Sequence, residues 1–158
     1  IYRAQLAAAR TASSRIYIEN AYFSDDRMLY ALIRARLRGV DVRVIIPSRG
    51  DSGPMDRSNA VTVNILTRFG VRVFIYPGMS HVKAALFDGW ACFGSANFDG
   101  LSLRLNRELN IGTSDPQIVA DLEGKIFEVD FARSTELRER RPVQPADHIY
   151  EWLADLML

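Results

Sequence analysis

Two short runs, Gly39-Val-Asp-Val42 and Gly70-Val-Arg-Val73, each follow a stretch of helical period, and this echo constrains the architecture more than any other feature of the chain. A glycine that ends a helix and leads at once into β-branched residues is what consecutive β-α-β units produce. The segments around the echo fit that reading. Residues 15–21 (RIYIENA), 40–47 (VDVRVIIP) and 71–77 (VRVFIYP) read as strands. Between the first two, Ser24, Asp25 and Asp26 offer a cap and favourable first-turn charge, and Met28, Leu29, Leu32, Ile33 and Leu37 share one helical face. Residues 54–69 give another amphipathic helix, and 1–12 an alanine-rich one ahead of the first strand.

Downstream, Asp88-Gly89 separates two apolar runs, 82–87 and 90–94, and predicts a hairpin closed by a type I′ turn with both central residues at positive φ. Residues 107–113 read as a further strand, and Asp115-Pro116 opens a helix that runs to about Ala132. The expected class is therefore α/β, a mixed β-sheet flanked by helices on both faces. Residues 1–135 form one lobe in this reading. Residues 136–158 form a charged, proline-punctuated linker and an amphipathic tail, with Ile149, Trp152, Leu153, Leu156 and Met157 on one face. Acidic residues on the tail's polar face favour docking on protein over anionic lipid.

With 158 residues, 48% hydrophobic and 25% charged, the composition is that of a globular chain and excludes a disordered or fibrous one. No apolar run reaches the ~18–20 residues that cross a bilayer. Ile1 opens the sequence inside a helix, so the chain reads as a piece of a longer protein. Cys92 alone makes no internal disulfide, and with 2 histidines there is no cluster of zinc-site spacing. The expectation is chemistry without metal or cofactor. A net charge of +1 lacks the basic excess of a typical nucleic-acid-binding domain. Of the 20 lysines and arginines, only Lys83 and Lys125 are lysines.

Lys83 stands two residues after His81 at the start of a predicted strand, and alternation puts both side chains on one face. The hairpin register sets Gly94 opposite Lys83 and Ala96 opposite His81, so the neighbouring strand offers no bulk there. Ser95 and Asn97 reach the same place if the strand ends near Gly94 and the chain bends. An ammonium for oxyanions, two neutral donors and an imidazole that attacks phosphorus or protonates a leaving oxygen suit a phosphoryl group. A carboxylate should fix the imidazole's tautomer, and Glu108 is the candidate. Asp88 has a turn-stabilising and an indirect catalytic reading of equal weight. Glu19 and Asn20 end a strand where open α/β sheets bind ligands, and a cap or loop role fits them equally.

His81-Val-Lys83, the four residues to Asp88 and Gly94-Ser95-Ala96-Asn97 resemble the HxKxxxxD…GSxN signature of the phospholipase D superfamily. IYIENAYF, RGVDVRVIIP, PGMSH and LRLNRELNI resemble the C-terminal half of bacterial cardiolipin synthases. The likeness spans about Arg15 to Arg133, and Glu108 lies where that family keeps its histidine-orienting glutamate. One departure is Gly100-Leu101-Ser102 after Asp99, where related lipid enzymes often carry Pro-Arg-Ser or Arg-Ser.

The resemblance implies a phospholipase D-like fold and transfer or hydrolysis at a phosphodiester through a phosphohistidine, without metal. His81, Lys83, Asn97, Glu108, Ser95 and Asp88 would form the site, with Lys83, Ser95 and Asn97 binding substrate. Two signatures are needed and this chain has one, so a second lobe must come from the same protein or a dimer mate. The implied substrate is a phospholipid, reached by peripheral membrane contact at a bacterial inner membrane, with a cytoplasmic location as the alternative. A homodimeric endonuclease acting on nucleic acid and a catalytically silent partner lobe are the rival functions.

Overall fold

Every residue from Ile16 to Asn20 is buried, as a strand must be when helices cover both of its faces. This segment belongs to a computed structural model that describes residues 1–50, 53–100, 102–103 and 106–138. The elements are α1 (Tyr2–Thr11), β1 (Arg15–Asn20), α2 (Asp26–Leu37), β2 (Asp41–Pro47), α3 (Gly53–Arg68), β3 (Arg72–Tyr76), β4 (Lys83–Phe87), β5 (Trp90–Gly94), β6 (Asn110–Thr113), α4 (Pro116–Leu122), α5 (Glu128–Arg133) and β7 (Thr135–Glu136). A π-helical turn, Glu123–Phe127, joins α4 to α5.

The strands form one sheet in the order β6-β5-β4-β1-β2-β3-β7. β1, β2 and β3 are parallel, and β4, β5, β6 and β7 pair antiparallel to their neighbours. This is the mixed sheet that the echo and the hairpin predict.

Alternation along the strands splits the core into two layers. Ile16 and Ile18 of β1, Val42 and Val44 of β2, and Ala85 and Phe87 of β4 pack with Leu6 of α1, Met28 and Leu32 of α2, and Val63 and Leu66 of α3. The intervening Tyr17, Ile45, Ala84 and Leu86 pack on the other side with Val119 of α4 and Phe127. Burying a side chain of this size stabilises by about 1.5–3 kcal/mol.

Local signals close the helices as their chemistry dictates. The Asp25 carboxylate caps α2, accepting from the Met28 N–H at 2.7 Å and from the Tyr2 hydroxyl. Gly39, at φ +96°, ends it. Asp115 caps α4 through the N–H groups of Gln117 and Ile118, with Pro116 at the first helical position.

Three features differ from the sequence reading. The hairpin turn is not type I′, because Asp88 sits at φ +51° while Gly89 is not among the glycines at positive φ. The turn is held from outside. The Asp88 carboxylate accepts the backbone N–H groups of Ser13, Ser14 and Arg15 at 2.9, 3.0 and 2.8 Å, which fixes the aspartate's conformation and ties the hairpin to the α1–β1 connection.

Second, the strand expected from Arg107 begins at Asn110, because Leu109 N–H and C=O pair with Ser95 instead of a ladder partner. Third, the sheet continues past residue 135. Thr135 and Glu136 pair with β3, and Glu136 receives Arg72 at 2.7 and 3.0 Å. The tail helix expected around Trp152 lies outside the described residues.

Burial would raise the Asp88 pKa, but the N–H groups of Arg15, Ser13 and Ser14 together hold it below the usual carboxylate value. A depressed folded pKa stabilises above the unfolded value of about 3.9 and stops doing so as pH falls through the folded one. Asp88→Ala is expected to cost about 1–2 kcal/mol at pH 7, the range of a lost cap. The gap from wild type should shrink as pH drops below about 4. Urea unfolding of both proteins at pH 7 and pH 3 measures it, and an equal gap at both pH values would contradict the assignment.

Candidate active site

β1 is the strand at which the chain reverses its progress across the sheet, β2 and β3 lying to one side and β4 to the other. Crevices of α/β sheets open outside strand ends at such switch points. Because β4 runs antiparallel to β1, its first residue meets the last residue of β1, and Lys83 is the Cα partner of Asn20. Lys83 is 8% exposed and its Nζ donates to the His81 carbonyl at 3.0 Å.

Val82 packs with Ala84 and Leu86, so alternation turns Lys83 to the opposite face with Ala85. His81 stands exposed just ahead of β4. It is thus on the lead-in segment and not, as alternation along one strand implied, a strand residue beside Lys83.

The second part of the signature arrives from β5. That strand ends at Gly94 and bends at Ser95, as the sequence reading required. Gly94 is obligatory for a physical reason. A Cβ there would lie 2.2 Å from the Leu109 carbonyl oxygen and 2.6 Å from the Asn110 Cα, both backbone atoms that cannot give way.

The close approach lets Ser95 N–H donate to the Leu109 carbonyl at 3.0 Å. The Ser95 hydroxyl accepts from Leu109 N–H at 3.0 Å and donates to Glu108 Oε2 at 2.5 Å. The loop then returns across the end of β1. Phe98 N–H donates to Asn20 Oδ1 at 3.3 Å, and the Phe98 carbonyl accepts from Ser24 and Asp25 N–H at 2.8 and 2.9 Å.

Asn97, one residue earlier, keeps its Oδ1 buried without a partner among the described residues. A buried carbonyl oxygen left so costs about 1–3 kcal/mol. An orphaned oxygen of this kind calls for a partner such as a water, an ion or a ligand.

Lys83, Ser95, Asn97 and Glu108 are thereby drawn to one end of the sheet, next to the segment that carries His81. Two expectations change. The Glu108 carboxylate is engaged by Ser95 and does not bond the His81 ring, because β6 starts late and leaves Glu108 in the segment that Ser95 closes. Asp88 is at the opposite end of β4, roughly 17 Å from Lys83 at about 3.4 Å per residue, so it touches nothing at this site.

Two residues that the sequence left ambiguous between ligand site and loop are structural neighbours of the signature. Asn20 is 1% exposed and Glu19 0% exposed. Glu19 Oε1 accepts from the Ser80 hydroxyl at 2.5 Å, and Oε2 is buried without a hydrogen bond among the described residues. Burial, partly offset by the Ser80 hydroxyl and reinforced by the neighbouring carboxyl of Asp130, pushes the Glu19 pKa up to about 7. Complete burial of an acid in a strand that reads IYIEN is not visible in a linear pattern. It depends on α5 closing over that end of the sheet.

Residues 4–130 match the family described as cardiolipin synthase, PLD-like domain. The chain belongs to the phospholipase D superfamily.

This phospholipase D domain is 41% identical over 138 residues to cardiolipin synthase A of Pseudomonas aeruginosa, a match covering 84% of the chain and 28% of that relative. It is 36% identical over 140 residues to cardiolipin synthase A of Pseudomonas fluorescens, covering 87% and 29%. The domain thus spans little more than a quarter of the length of these curated relatives.

Its fold is that of Nuc from Salmonella typhimurium, a phospholipase D family member, with TM-score 0.77 at 22% identity over 87% of this chain and 91% of that one. NucT from Helicobacter pylori gives TM-score 0.74 at 16% identity, covering 86% and 90%. Phosphatidylserine synthase of Haemophilus influenzae gives 0.62 at 14%, covering 96% and 40%.

A raised folded pKa at Glu19 makes a definite prediction. Stability from this group is complete below the unfolded value of about 4.3 and is lost as pH rises through about 7. Thermal unfolding should therefore show wild type losing melting temperature between about pH 4.5 and 7 relative to Glu19→Gln, whose side chain does not titrate. Parallel curves for the two proteins would show that Glu19 is not a buried neutral acid.

Proposed function

We propose that this domain is one half of an active site that transfers or hydrolyses a phosphatidyl group through a phosphohistidine, as in a cardiolipin synthase. The observation that carries the reading is the gathering of Lys83, Ser95, Asn97 and Glu108 at the end of β1 and β4 beside an exposed His81.

Lys83 stabilises the non-bridging oxygens as a point charge, and Asn97 and Ser95 supply neutral hydrogen bonds. Glu108 holds the Ser95 hydroxyl in place. Asp88 acts from a distance, by fixing the hairpin that carries Lys83.

One imidazole attacks phosphorus, forming an N–P bond as the P–O bond to the leaving alcohol breaks. A second imidazole, from another lobe, gives that alcohol its proton and later takes one from the acceptor alcohol or water, which attacks phosphorus and releases the first histidine. His81 fills one of these roles. The other belongs to a second signature, in a further part of the same protein or in a dimer mate.

The surface supports peripheral contact with a phospholipid leaflet, at the bacterial inner membrane in this reading. Arg3 and Arg10 on α1 and Arg27 and Arg34 on α2 are exposed, and between the α2 arginines stands Tyr30, 64% exposed, with Leu37 at 66% further along. At 100° per residue Arg27, Tyr30, Arg34 and Leu37 fall on one helical face, so Leu37 leaves the apolar face on which the sequence reading set it with Met28, Leu29, Leu32 and Ile33. Cations interleaved with an aromatic and a leucine suit anionic head groups. Along α4 and α5, in the opposite layer, Asp115, Asp121, Glu123 and Glu128 outnumber Lys125 and Arg133, and the arginines on that side, Arg15, Arg43 and Arg72, are paired with Glu123, Asp41 and Glu136. Among the described residues no helix is long and apolar enough to cross a membrane.

In the complete protein, His81→Ala is expected to lower phosphatidyl transfer by about 10³-fold or more, as loss of an essential member of a catalytic unit does. Activity should persist in chelator. Near-normal turnover of the variant would make the lobe silent, and cleavage of nucleic acid with phospholipid left intact would replace this reading with an endonuclease.

The chain itself should sediment with vesicles containing phosphatidylglycerol and not with phosphatidylcholine alone. Raising salt should weaken this binding, and so should Arg27→Glu with Arg34→Glu, by about tenfold or more at about 1 kcal/mol per basic residue. Equal binding to both vesicle types would remove the basic face from the account.

A further inference from the structure

We propose that Glu19 and Asn20 are positioning residues that fasten the two arms of the site from opposite faces of β1, Glu19 holding the His81 arm through Ser80 and Asn20 holding the Asn97 arm through the Phe98 N–H. This inference rests on the phosphoryl-transfer reading of the site. Consecutive strand residues point to opposite sides of a sheet. Asn20 follows Ile18 toward the layer that contains Phe23 and Phe98. Glu19 follows Tyr17 toward the layer closed by Phe127 and lies near Asp130 of α5.

On the Glu19 side, the Ser80 hydroxyl donates to Oε1 at 2.5 Å and accepts from Val82 N–H at 3.4 Å. Residues 80 and 82 flank His81, so this one hydroxyl closes a small turn about the histidine and ties it to the central strand. The histidine side chain itself is exposed and has no such tie.

On the Asn20 side, Oδ1 accepts from Tyr22 and Phe98 N–H, each at 3.3 Å. This fixes the residue that follows Asn97. Asn20 is also the Cα partner of Lys83, so one dipeptide touches every arm of the signature.

Stability does not account for Glu19. A carboxyl with 0% exposure set against the buried carboxyl of Asp130 costs free energy that an apolar residue of similar volume would not. Geometry at the site does account for it, since a displacement of about 1 Å at a reacting group can cost on the order of 10²-fold in rate.

The test is a set of double-mutant cycles in the complete protein, reading kcat and KM for a chromogenic phosphodiester together with melting temperature. Ser80→Ala and Glu19→Leu should each lower kcat about 10- to 10²-fold with little change in KM. Their double variant should be no worse than either alone, because both act through one hydrogen bond. Glu19→Gln should restore most of the loss, since its amide oxygen accepts the same hydroxyl. Asn20→Ala should multiply with Ser80→Ala, because the arms are separate.

Ser80→Ala removes a single oxygen and carries the test if Glu19→Leu fails to fold. A kcat within twofold of wild type for Ser80→Ala, Ser80 and Glu19 losses that multiply, or losses that vanish on assay well below each melting temperature would overturn the inference. His81→Ala serves as the control. If it too leaves turnover unchanged, the function reading fails first. If it abolishes turnover while the others do not, only this inference falls.

Discussion

The pairing register between β1 and β4 is the constraint on which the rest of the molecule depends. A slip of one residue would rotate every β4 side chain to the other face, taking Lys83 out of the crevice and putting Leu86 in the wrong core layer. The register is held at both ends. Near the turn, the Asp88 carboxylate grips the N–H groups of residues 13–15. At the other end, Ser80 reaches Glu19. Between them, Ala85 and Phe87 fit one apolar layer and Ala84 and Leu86 the other.

A rigid frame of this kind lets loops do chemistry. His81, Ser95, Asn97 and Glu108 all lie outside strands, on segments whose own hydrogen bonding is irregular. Each is placed by a bond to something that is regular or buried. Ser95 is clamped on Leu109 at the approach to β6, Phe98 is sewn to the end of β1 and the start of α2, and the turn at His81 is braced against Glu19. The close approach of Gly94 to the backbone of residues 109 and 110 is part of the same arrangement. It brings a serine just after β5 and a glutamate just before β6 within one hydrogen bond.

Much of this was legible in the sequence because it rests on short-range signals. Period and stop signals located the helices, β-branched runs the strands, and Asp88-Gly89 the hairpin. Lys83 fell at the hairpin end opposite Gly94, where β5 stops, while His81 lies ahead of the strand on which alternation had set it. What escaped depended on contacts between distant segments. The turn type failed at Gly89, which is not at positive φ, while Asp88 takes the left-handed value that Asp-Gly favours and is held there by the α1–β1 connection. The first turn of the expected β6 was lost to Ser95, and with it the expected partner of Glu108. Glu19 looked like an ordinary strand-end polar residue, since nothing linear shows that α5 seals it from water.

The two helical layers carry opposite charge, arginines outside α1 and α2 and carboxylates along α4 and α5. The formal net charge of +1 therefore describes a sum and not a surface. Among the described residues the arginines of α1 and α2 stand in one exposed layer, while those of the other layer are paired with acids. In dilute buffer that arginine layer should hold the domain on a cation exchanger more firmly than its net charge of +1 implies, until added ions shield it.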